Sequence, residues 1–430
     1  MGVITSLLLL LMYLYTLKKY PYIATNKLFL IFYSIFVFRL LLSFNHSISF
    51  EPIVAGQSLN SLFSILTVFL LILLIKKTNL KSKTLIPFYL IIVGVLISTV
   101  NSWLVLGGAV VIMKWLLLVL IVLSLRELFS HFGIIKILKP FYSVFLVILF
   151  SQLLSLLLGQ GKDTESLVSS SNSISYIAGY AHESAFSMLL FMGMLISILL
   201  VKYRQAASYM PFVFFIAIVF ANYRTTLISA FFPLVAAYIA FYFVNSKKES
   251  KIYFFLGASI FTFLICIFFG SGFIERFGEL GAAFNNINEL FDIDYSLFTA
   301  EERRLLSSRI YLWNMYLTEF SYFPINELYF GRGPESWVMY FEVYAHNSFV
   351  GTLFDLGYLG LLLIFILFLR TFLLTLKAND LKIKIIMASN LFGFFIMANS
   401  TMPLWAVEGI YLFAFIFALS YFHTKKNVEK

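Results

Sequence analysis

Long uninterrupted apolar stretches constrain this 430-residue chain more than any other feature. A helix needs about 20 apolar residues to cross the ~30 Å hydrocarbon core of a bilayer. Residues 7–11 and 361–369 are apolar at every position, whereas apolar and polar residues alternate in strands of a membrane barrel. The sequence therefore predicts an all-α polytopic membrane protein of about 13 (12–14) transmembrane helices, with one large external loop that carries short helices. The predicted spans are 2–17, 27–44, 58–75, 84–100, 104–124, 141–158, 184–201, 206–222, 225–244, 252–270, 348–371, 385–399 and 407–422.

The composition excludes the other broad classes. Hydrophobic residues make up 61% of the chain and charged residues 12%, whereas soluble domains carry about 25% charged residues. A soluble globule and a disordered chain are both excluded. Cys266 is the single cysteine, so no intrachain disulfide framework can form. The first apolar stretch lacks a basic leader and a small-residue cleavage site, so we expect a membrane span and not a cleaved signal peptide.

The apolar stretch 206–244 is too long for one span. As a single helix it would be roughly 58 Å long at ~1.5 Å per residue, so the chain must fold back. The one polar interruption is residues 222–226, Asn-Tyr-Arg-Thr-Thr. This places Arg224 at a membrane surface.

Basic residues orient the predicted spans. With the N-terminus outside, 22 of the 31 Lys and Arg residues fall on the inner side and 7 on the outer side. Arg39 and Lys114 lie within spans. Such a bias is the one that cytoplasmic loops of membrane proteins carry. The resulting organisation has an N-terminal part of the helical bundle (1–270), a large external loop (271–345) and a C-terminal part of the bundle (346–430).

The external loop has an unusual set of charges. It contains five Arg, eleven acidic residues and no Lys. The guanidinium group is a planar fork that grips phosphate and carboxylate, whereas Lys is the ordinary solvated cation. The bias indicates anion recognition.

Arg309 is the strongest candidate within that loop. Thr299 and Glu302 read as a capping box, which predicts a helix running to about Phe320, before Pro324. On that helix Arg309 shares a face with apolar residues, which is costly unless an anion meets it; the alternatives are snorkelling or a pair with a loop carboxylate. The residues of that face are Leu305, Leu306, Leu312, Trp313, Tyr316 and Phe320.

His346 lies where the loop re-enters the membrane. A half-buried neutral histidine can act as a general base near pH 7, although an interfacial hydrogen-bonding residue would look the same. Asn347 can orient that histidine or a substrate. Gly351, Gly357 and Gly360 follow on the next predicted helix, where we expect them to allow close helix packing.

With these motifs the chain resembles the O-antigen polymerase (Wzy-type) and O-antigen ligase superfamily. The resemblance rests on His346-Asn347 followed by Asp355, Gly357 and Gly360, on Ser308-Arg309-x-x-x-Trp313, on Gly331-x-Gly333, and on the long outside loop between late spans. It covers residues 175–375 at the level of motifs and the whole chain in topology. Thirteen spans differ from the usual count of about twelve in this superfamily.

The resemblance implies a metal-independent glycosyltransferase without a cofactor, in the bacterial cytoplasmic (inner) membrane, with its active site on the periplasmic face. Its donor would be an oligosaccharide on undecaprenyl diphosphate, polymerised into O-antigen, capsule or a related surface polysaccharide. Carried over, His346 is the base that deprotonates the acceptor hydroxyl, and Arg309 and Arg224 hold the diphosphate. Arg332, in the Gly331-x-Gly333 turn, is a further diphosphate candidate, and Trp313 a glycan-binding one.

Other candidate residues could have ordinary structural roles instead of functional ones. Glu183, with His182 beside it, could bind a sugar hydroxyl or steady an arginine, or could be an ordinary carboxylate at a helix N-terminus. Lys114 lies in mid-span without an evident acidic partner, and could face a water-filled cavity or bind lipid phosphate. Arg39 lies near the outer edge, where snorkelling is the simpler explanation.

Three other functions remain open on the sequence. An O-antigen ligase would transfer the glycan to lipid A-core or protein. A flippase for the same lipid-linked oligosaccharide would carry paired mid-membrane charges and internal repeats, and a non-catalytic scaffold is the third. The predicted partners are the lipid-linked oligosaccharide, membrane lipids and a chain-length regulator protein; no nucleic acid is expected.

Overall fold

The computed structural model describes residues 1–54, 56–163, 174–243, 293–300, 302–304 and 308–425. Ten helices in these ranges are long and apolar enough to cross a membrane, and two shorter apolar helices accompany them. The all-α polytopic architecture is confirmed, whereas the count of thirteen spans is not. The predicted span 252–270, the loop residues 271–292 and residues Leu305 and Leu306 lie outside the described residues.

Fourteen helices are numbered here. They are α1 (Gly2–Lys19), α2 (Lys27–Phe44), α3 (Leu59–Leu74), α4 (Ile86–Ser102), α5 (Val105–Phe132), α6 (Ile134–Leu157), α7 (Glu183–Lys202), α8 (Met210–Phe220), α9 (Arg224–Tyr238), α10 (Arg309–Ser321), α11 (Ile325–Phe330), α12 (Ser348–Leu376), α13 (Leu381–Ser400) and α14 (Val407–Lys425). Of these, α10 and α11 belong to the large loop, and α3 and α8 are the two short apolar helices.

Single turns and two small hairpins complete the described chain. The one-turn α-helices are Tyr22–Thr25, His46–Ser49, Lys77–Leu80 and Trp337–Tyr340, the 3-10 turns are Lys83–Leu85, Tyr295–Leu297, Glu302–Arg304 and Pro403–Trp405, and a π-helical turn, Ile239–Phe243, extends α9. Strand β1 (Pro52–Val54) pairs antiparallel with β2 (Gln57–Ser58), and β3 (Lys162–Asp163) with β4 (Ile174–Ser175).

Helices α7 and α14 lie at the centre of the bundle. In their apolar segments 83% and 78% of the residues are buried, against 17% in α1. Helix α1 therefore presents most of its surface to lipid. Because lipid is as apolar as leucine, side-chain packing and interhelical hydrogen bonds hold such a bundle together.

The chain folds back within the stretch 206–244 where its polar residues predicted it. Helix α8 ends at Phe220 and α9 begins at Arg224, and Asn222 between them has a left-handed backbone, φ 55°. Asn is among the few residues that tolerate this conformation well. Arg224 therefore starts a helix at one end of the bundle.

Loops that the basic residues assigned to the outer side meet at one end of the bundle. Thr5 at the N-terminal end of α1 donates a hydrogen bond to the carbonyl of Ala178, before α7. Arg309 of the large loop donates to the carbonyl of Ser400, where α13 ends. We refer to this end as the outer end.

The loops assigned to the inner side meet at the opposite end. Lys202, at the end of α7, forms an ion pair of 2.7 Å with Asp380, which caps α13. Tyr22 donates a hydrogen bond to the carbonyl of Lys136 in α6. The alternation of sides predicted from Lys and Arg therefore agrees with the contacts of both ends.

The guanidinium of Arg39 forms hydrogen bonds within the protein and does not simply extend toward the membrane surface. Its Nη1 atom donates to the carbonyl and the side-chain oxygen of Asn60 and lies 3.4 Å from the hydroxyl of Ser64. These partners lie on the neighbouring helix α3. The snorkelling interpretation was therefore incomplete, because the guanidinium joins α2 to α3.

Candidate functional site

Arg309 begins helix α10 at the outer end of the bundle. The capping contacts predicted at residue 299 are present: the Thr299 amide and hydroxyl both donate to Glu302 at 2.8 Å. Within the described residues they accompany the 3-10 turn Glu302–Arg304. Ser308 has a left-handed backbone, φ 64°, immediately before Arg309. The predicted helix from 299 to 320 was therefore wrong in its start, since α10 runs from Arg309 to Ser321.

The guanidinium group of Arg309 joins the ends of two helices. Its Nε donates to the carbonyl of Ser400 at 3.0 Å, and its Nη2 lies 3.4 Å from the hydroxyl of Thr225. Ser400 is the last residue of α13 and Thr225 lies in the first turn of α9. Unsatisfied carbonyls at a helix C-terminus carry negative charge, so this cation is held in a fixed place.

Arg224 is adjacent to that point. It is exposed and is the first residue of α9, directly before the threonine that accepts from Arg309. A positive charge at a helix N-terminus opposes the helix dipole, whereas an anion is favoured there. An anionic ligand at this corner would therefore be attracted by Arg224, by Arg309 and by the N-terminus of α9.

The backbone around His346 is fixed by its neighbours. His346 has a left-handed backbone, φ 48°. The indole Nε1 of Trp313 donates to the carbonyl of Ala345 at 3.1 Å. The side-chain oxygen of Asn347 caps α12, accepting from the amides of Phe349 at 2.9 Å and Val350 at 3.2 Å. Trp313 and Asn347 thus position the histidine from both sides.

The imidazole of His346 is held in its neutral form. Burial, as the larger cause, and the positive charge of Arg309 together lower the pKa of His346 from 6.5 to about 4. Their supporting contacts are adjacent in the chain: Arg309 donates to the carbonyl of Ser400, and Ser348, two residues after His346, donates to the carbonyl of Thr401. A neutral imidazole can accept a proton, so His346 has the protonation state that a general base requires.

Tyr344 and Tyr223 are site residues that the sequence did not single out. The ring of Tyr344 lies 4.0 Å from that of His346, centroid to centroid. Burial and the neighbouring Tyr223 raise the pKa of Tyr344 to about 12, while Arg309 opposes the rise. Tyr344 is therefore an uncharged ring that packs beside the imidazole of His346. The one sequence signal that could have identified Tyr344 was its position two residues before His346.

Helix α12 is broken at Gly357, and a turn of the large loop fills the break. Gly357 has φ 66° and ψ −165° inside the helix. The amides of Arg332 and Gly333 donate to the carbonyls of Phe354 at 3.1 Å and Asp355 at 3.0 Å. Gly357 does allow a close helix approach, to α11 of the large loop: a Cβ atom there would lie 2.5 Å from the carbonyl carbon of Tyr329 and 2.6 Å from the amide nitrogen of Gly331.

A side chain at Gly331 would collide with the same break. A Cβ atom there would lie 2.2 Å from the carbonyl oxygen of Asp355. The hydroxyl of Ser336 also donates to the Asp355 carboxylate at 3.0 Å. We call residues 331–336 the docking turn. Two motifs that the sequence treated separately, Gly331-x-Gly333 and Asp355-x-Gly357, are thus the two halves of one contact.

Arg332 is held by other protein groups. Its Nε lies 2.9 Å from Glu327, and its guanidinium lies over the rings of Phe323 at 4.3 Å and Tyr340 at 4.5 Å. The structure thus gives Arg332 a role in holding the loop together and does not bring it into the contacts described for Arg309.

Glu183 and His182 belong to a second polar group at the outer end. Glu183 is the first residue of α7, accepts from Ser175 at 3.2 Å and lies 3.8 Å from the ammonium of Lys162. Burial lowers the pKa of His46, and the charges of Lys162 and His182 add to the effect. Among its described contacts Glu183 thus pairs with a lysine. It lies at a helix N-terminus, which agrees with the alternative of an ordinary carboxylate at that position.

Lys114 has the acidic partner that the sequence did not suggest. Its ammonium lies 2.9 Å from the carboxylate of Glu335 in the docking turn and 4.0 Å from the ring centre of Trp405. The expectation of an unpaired mid-span lysine was therefore wrong. Its partner is 221 residues away in sequence, beyond the reach of local pattern analysis.

No metal centre is formed by the described part of the chain. Among those residues no group of three or more His, Cys, Asp or Glu side chains could hold a metal ion. The polar contacts described for Arg309 are instead with a backbone carbonyl and a hydroxyl. Metal independence stays a prediction.

The comparison with known families agrees with the resemblance drawn from the motifs. Residues 210–365 match the family model described as O-antigen ligase. The matched segment runs from α8 through the large loop into α12, and it contains Arg224, Arg309 and His346. No curated protein matches the chain. The resemblance to the O-antigen polymerase and ligase superfamily is therefore confirmed by a family match to this segment.

Proposed function

From the O-antigen ligase domain in residues 210–365, we propose that this membrane protein is a glycosyltransferase that polymerises undecaprenyl-diphosphate-linked oligosaccharides into a surface polysaccharide. The observation that carries the proposal is that Arg309 and the helix start after His346 are held by the adjacent carbonyls of Ser400 and Thr401, with the guanidinium charge lowering the pKa of His346. Both lie at the outer end, where a lipid-anchored diphosphate and a hydrated glycan can meet. We place the protein in the bacterial cytoplasmic membrane with this end facing the periplasm.

The reaction would be an inverting displacement. His346 accepts the proton of an acceptor hydroxyl, whose oxygen forms a bond to the anomeric carbon of the donor. The bond from that carbon to the diphosphate oxygen breaks, and undecaprenyl diphosphate leaves with the electron pair. Arg309 and Arg224 would stabilise the negative charge of the leaving group, since guanidinium donors in a site of low dielectric constant stabilise oxyanions strongly.

The charge of Arg309 would couple donor binding to the basicity of His346. In the free protein that charge helps to hold the pKa of His346 at about 4, which makes the imidazole a weak base. A bound diphosphate would offset the guanidinium charge, and the pKa of His346 would rise. His346 would then become an effective base only when the donor is bound. The acceptor hydroxyl would therefore not be deprotonated in the absence of the donor.

An O-antigen ligase is the second candidate, and the description of the matching family model favours it. Both enzymes would use the same donor and the same base. They differ in the acceptor, which is another lipid-linked repeat unit for the polymerase and lipid A-core or a protein for the ligase. Supplying each acceptor separately therefore distinguishes them.

The decisive experiment is turnover by the purified protein in lipid nanodiscs. The reaction would contain a defined undecaprenyl-diphosphate-linked oligosaccharide, EDTA and no added metal. We expect polymer and free undecaprenyl diphosphate from the wild type. We expect neither from His346→Ala or Arg309→Ala. Matched controls are His131→Ala, an exposed histidine at the inner end, and Arg303→Ala, an exposed arginine of the same loop that lies 5.2 Å from the ring of Tyr311.

The same variants in cells separate an enzyme from a transporter. An enzyme lacking His346 would leave single repeat units on the outer face and a normal level of the protein. A flippase would leave no repeat units there at all. Polysaccharide of normal length from either the His346 or the Arg309 variant would contradict the proposed function.

A further inference from the structure

Lys114 and Glu335 form an ion pair that reaches from the bundle to the large loop. Lys114 lies nine residues into α5, about 14 Å from the start of that helix at ~1.5 Å per residue. Its ammonium is 2.9 Å from Glu335, and the side chains are only 30% and 21% exposed. A pair removed from water in this way is screened far less than a surface pair. The attraction between Lys114 and Glu335 is therefore stronger than that of an exposed pair.

Glu335 sits on a rigid support. It belongs to the docking turn, in which the amide of Gly333 bonds to the carbonyl of Asp355 at 3.0 Å and the hydroxyl of Ser336 to its carboxylate at 3.0 Å. The hydroxyl of Ser98 in α4 donates to the same carbonyl at 3.0 Å. The docking turn is thus fastened to α4, α5 and α12 together.

A short path of ring contacts leads from Glu335 to the proposed base. Trp337, two residues after Glu335, lies 6.0 Å from the ring of Tyr344. Tyr344 lies 4.0 Å from the ring of His346. A shift of the docking turn would therefore displace Tyr344, against which the imidazole of His346 packs.

A second path leads from Lys114 to Arg309. The ammonium of Lys114 lies 4.0 Å from the ring centre of Trp405, which belongs to the connection between α13 and α14. That connection follows Ser400, whose carbonyl accepts from Arg309 at 3.0 Å. The carbonyl of Thr401 accepts from Ser348, the first residue of α12, at 3.2 Å. Lys114 thus contacts both segments that hold the site.

We propose that Lys114, through its ion pair with Glu335 and its contact with Trp405, is a positioning residue that fixes the distance between Arg309 and His346. The inference rests on the proposed function for its catalytic readout. It assigns Lys114 a role within the protein and not a contact with lipid phosphate. Catalysis needs such a support, because a displacement of ~1 Å at a reacting group can lower the rate about 100-fold.

The test is a double-mutant cycle with Lys114→Gln, Glu335→Gln and the double variant, assayed for transfer in nanodiscs. We expect each single change to lower kcat on the order of tenfold with little change in KM, and the double variant to lose no more than the worse single one. The matched control is Lys202→Gln, which breaks the 2.7 Å pair with Asp380 at the inner end and should leave kcat unchanged. Losses that multiply in the double variant would overturn the proposal, as would a loss confined to KM.

A second measurement does not depend on activity. Spin labels at cysteines replacing Leu106 in α5 and Val338 beside the docking turn, which are 77% and 62% exposed, would report their separation in a Cys266→Ser background. We expect one narrow distance distribution that broadens in Lys114→Gln and in Glu335→Gln. An unchanged distribution overturns the proposal even if kcat falls. If the wild type shows no transfer with any acceptor, the proposed function fails, while the distances still decide whether the pair holds the loop.

Discussion

The fit of the docking turn into the break of α12 predicts the effect of one added methyl group. In Gly331→Ala the new Cβ would lie 2.2 Å from the oxygen and 2.3 Å from the carbon of the Asp355 carbonyl. Ordinary carbon contacts are about 3.5 Å or longer, so the backbones must separate by about 1 Å. That movement strains the bonds that Arg332 and Gly333 make to α12, each worth about 1 kcal/mol.

The backbone of Gly331 adds a second cost that a matched variant can separate. Gly331 has φ 75° and ψ 174°, a backbone region essentially restricted to glycine that costs other residues about 1–3 kcal/mol. Gly133, at the inner end between α5 and α6, has φ 76°, and a Cβ atom added there would meet nothing within 4 Å. Gly133→Ala therefore carries the backbone cost alone.

Thermal unfolding in nanodiscs and transfer kinetics would measure the two contributions. We expect both variants to lose stability, Gly331→Ala by about 2 kcal/mol more because of the two strained hydrogen bonds. We expect kcat to fall on the order of 100-fold only in Gly331→Ala, since a ~1 Å shift near the reacting groups has that effect. Equal stability and equal kcat in the two variants would refute the role of the docking turn.

Three further predictions concern the base and its surroundings. The pKa of His346, followed by NMR of labelled histidine, should lie near 4 and rise in Arg309→Gln while staying below 6.5, because burial remains; Arg309→Lys keeps the charge, so a rise there would contradict the electrostatic cause. Asn347→Ala removes the cap of α12 and should lower stability by about 1 kcal/mol, whereas Asn347→Ser, which keeps an accepting oxygen, should lose only a few tenths. In a Cys266→Ser background a membrane-impermeant maleimide added to whole cells should label a cysteine at Val338 and not one at Lys81; the reverse pattern would invert the proposed topology.

The membrane architecture could be predicted because its signals are local. Apolar stretches of span length gave the helices, and the polar residues 222–226 gave the reversal between α8 and α9. The distribution of Lys and Arg assigned the loops alternately to the two sides of the membrane, and the contacts between these loops agree with two separate ends of the bundle. Arg309 and His346 were selected by their types, by their positions near the membrane edge and by the superfamily resemblance. In the structure, Arg309 bonds to Ser400, and Ser348, just after His346, bonds to the adjacent Thr401.

What could not be predicted depends on backbone conformation and on distant partners. The left-handed Ser308 ends any helix started at Thr299, and serine gives little warning of that conformation. The break of α12 at Gly357 was not predicted, because a positive φ cannot be read from composition. Lys114 was left without a partner because Glu335 reaches it only after the docking turn enters the bundle.

The interruption of α12 at Gly357 divides this helix into a short upper piece, 348–356, and a longer lower piece, 358–376. The upper piece is fastened to the loop and the lower one faces lipid along much of its length. Membranes of different thickness impose different tilts on long helices. Because the helical backbone is interrupted at residue 357, we expect a change in the tilt of the lower piece to leave the upper piece, and His346 before it, in the same orientation in thick and thin membranes.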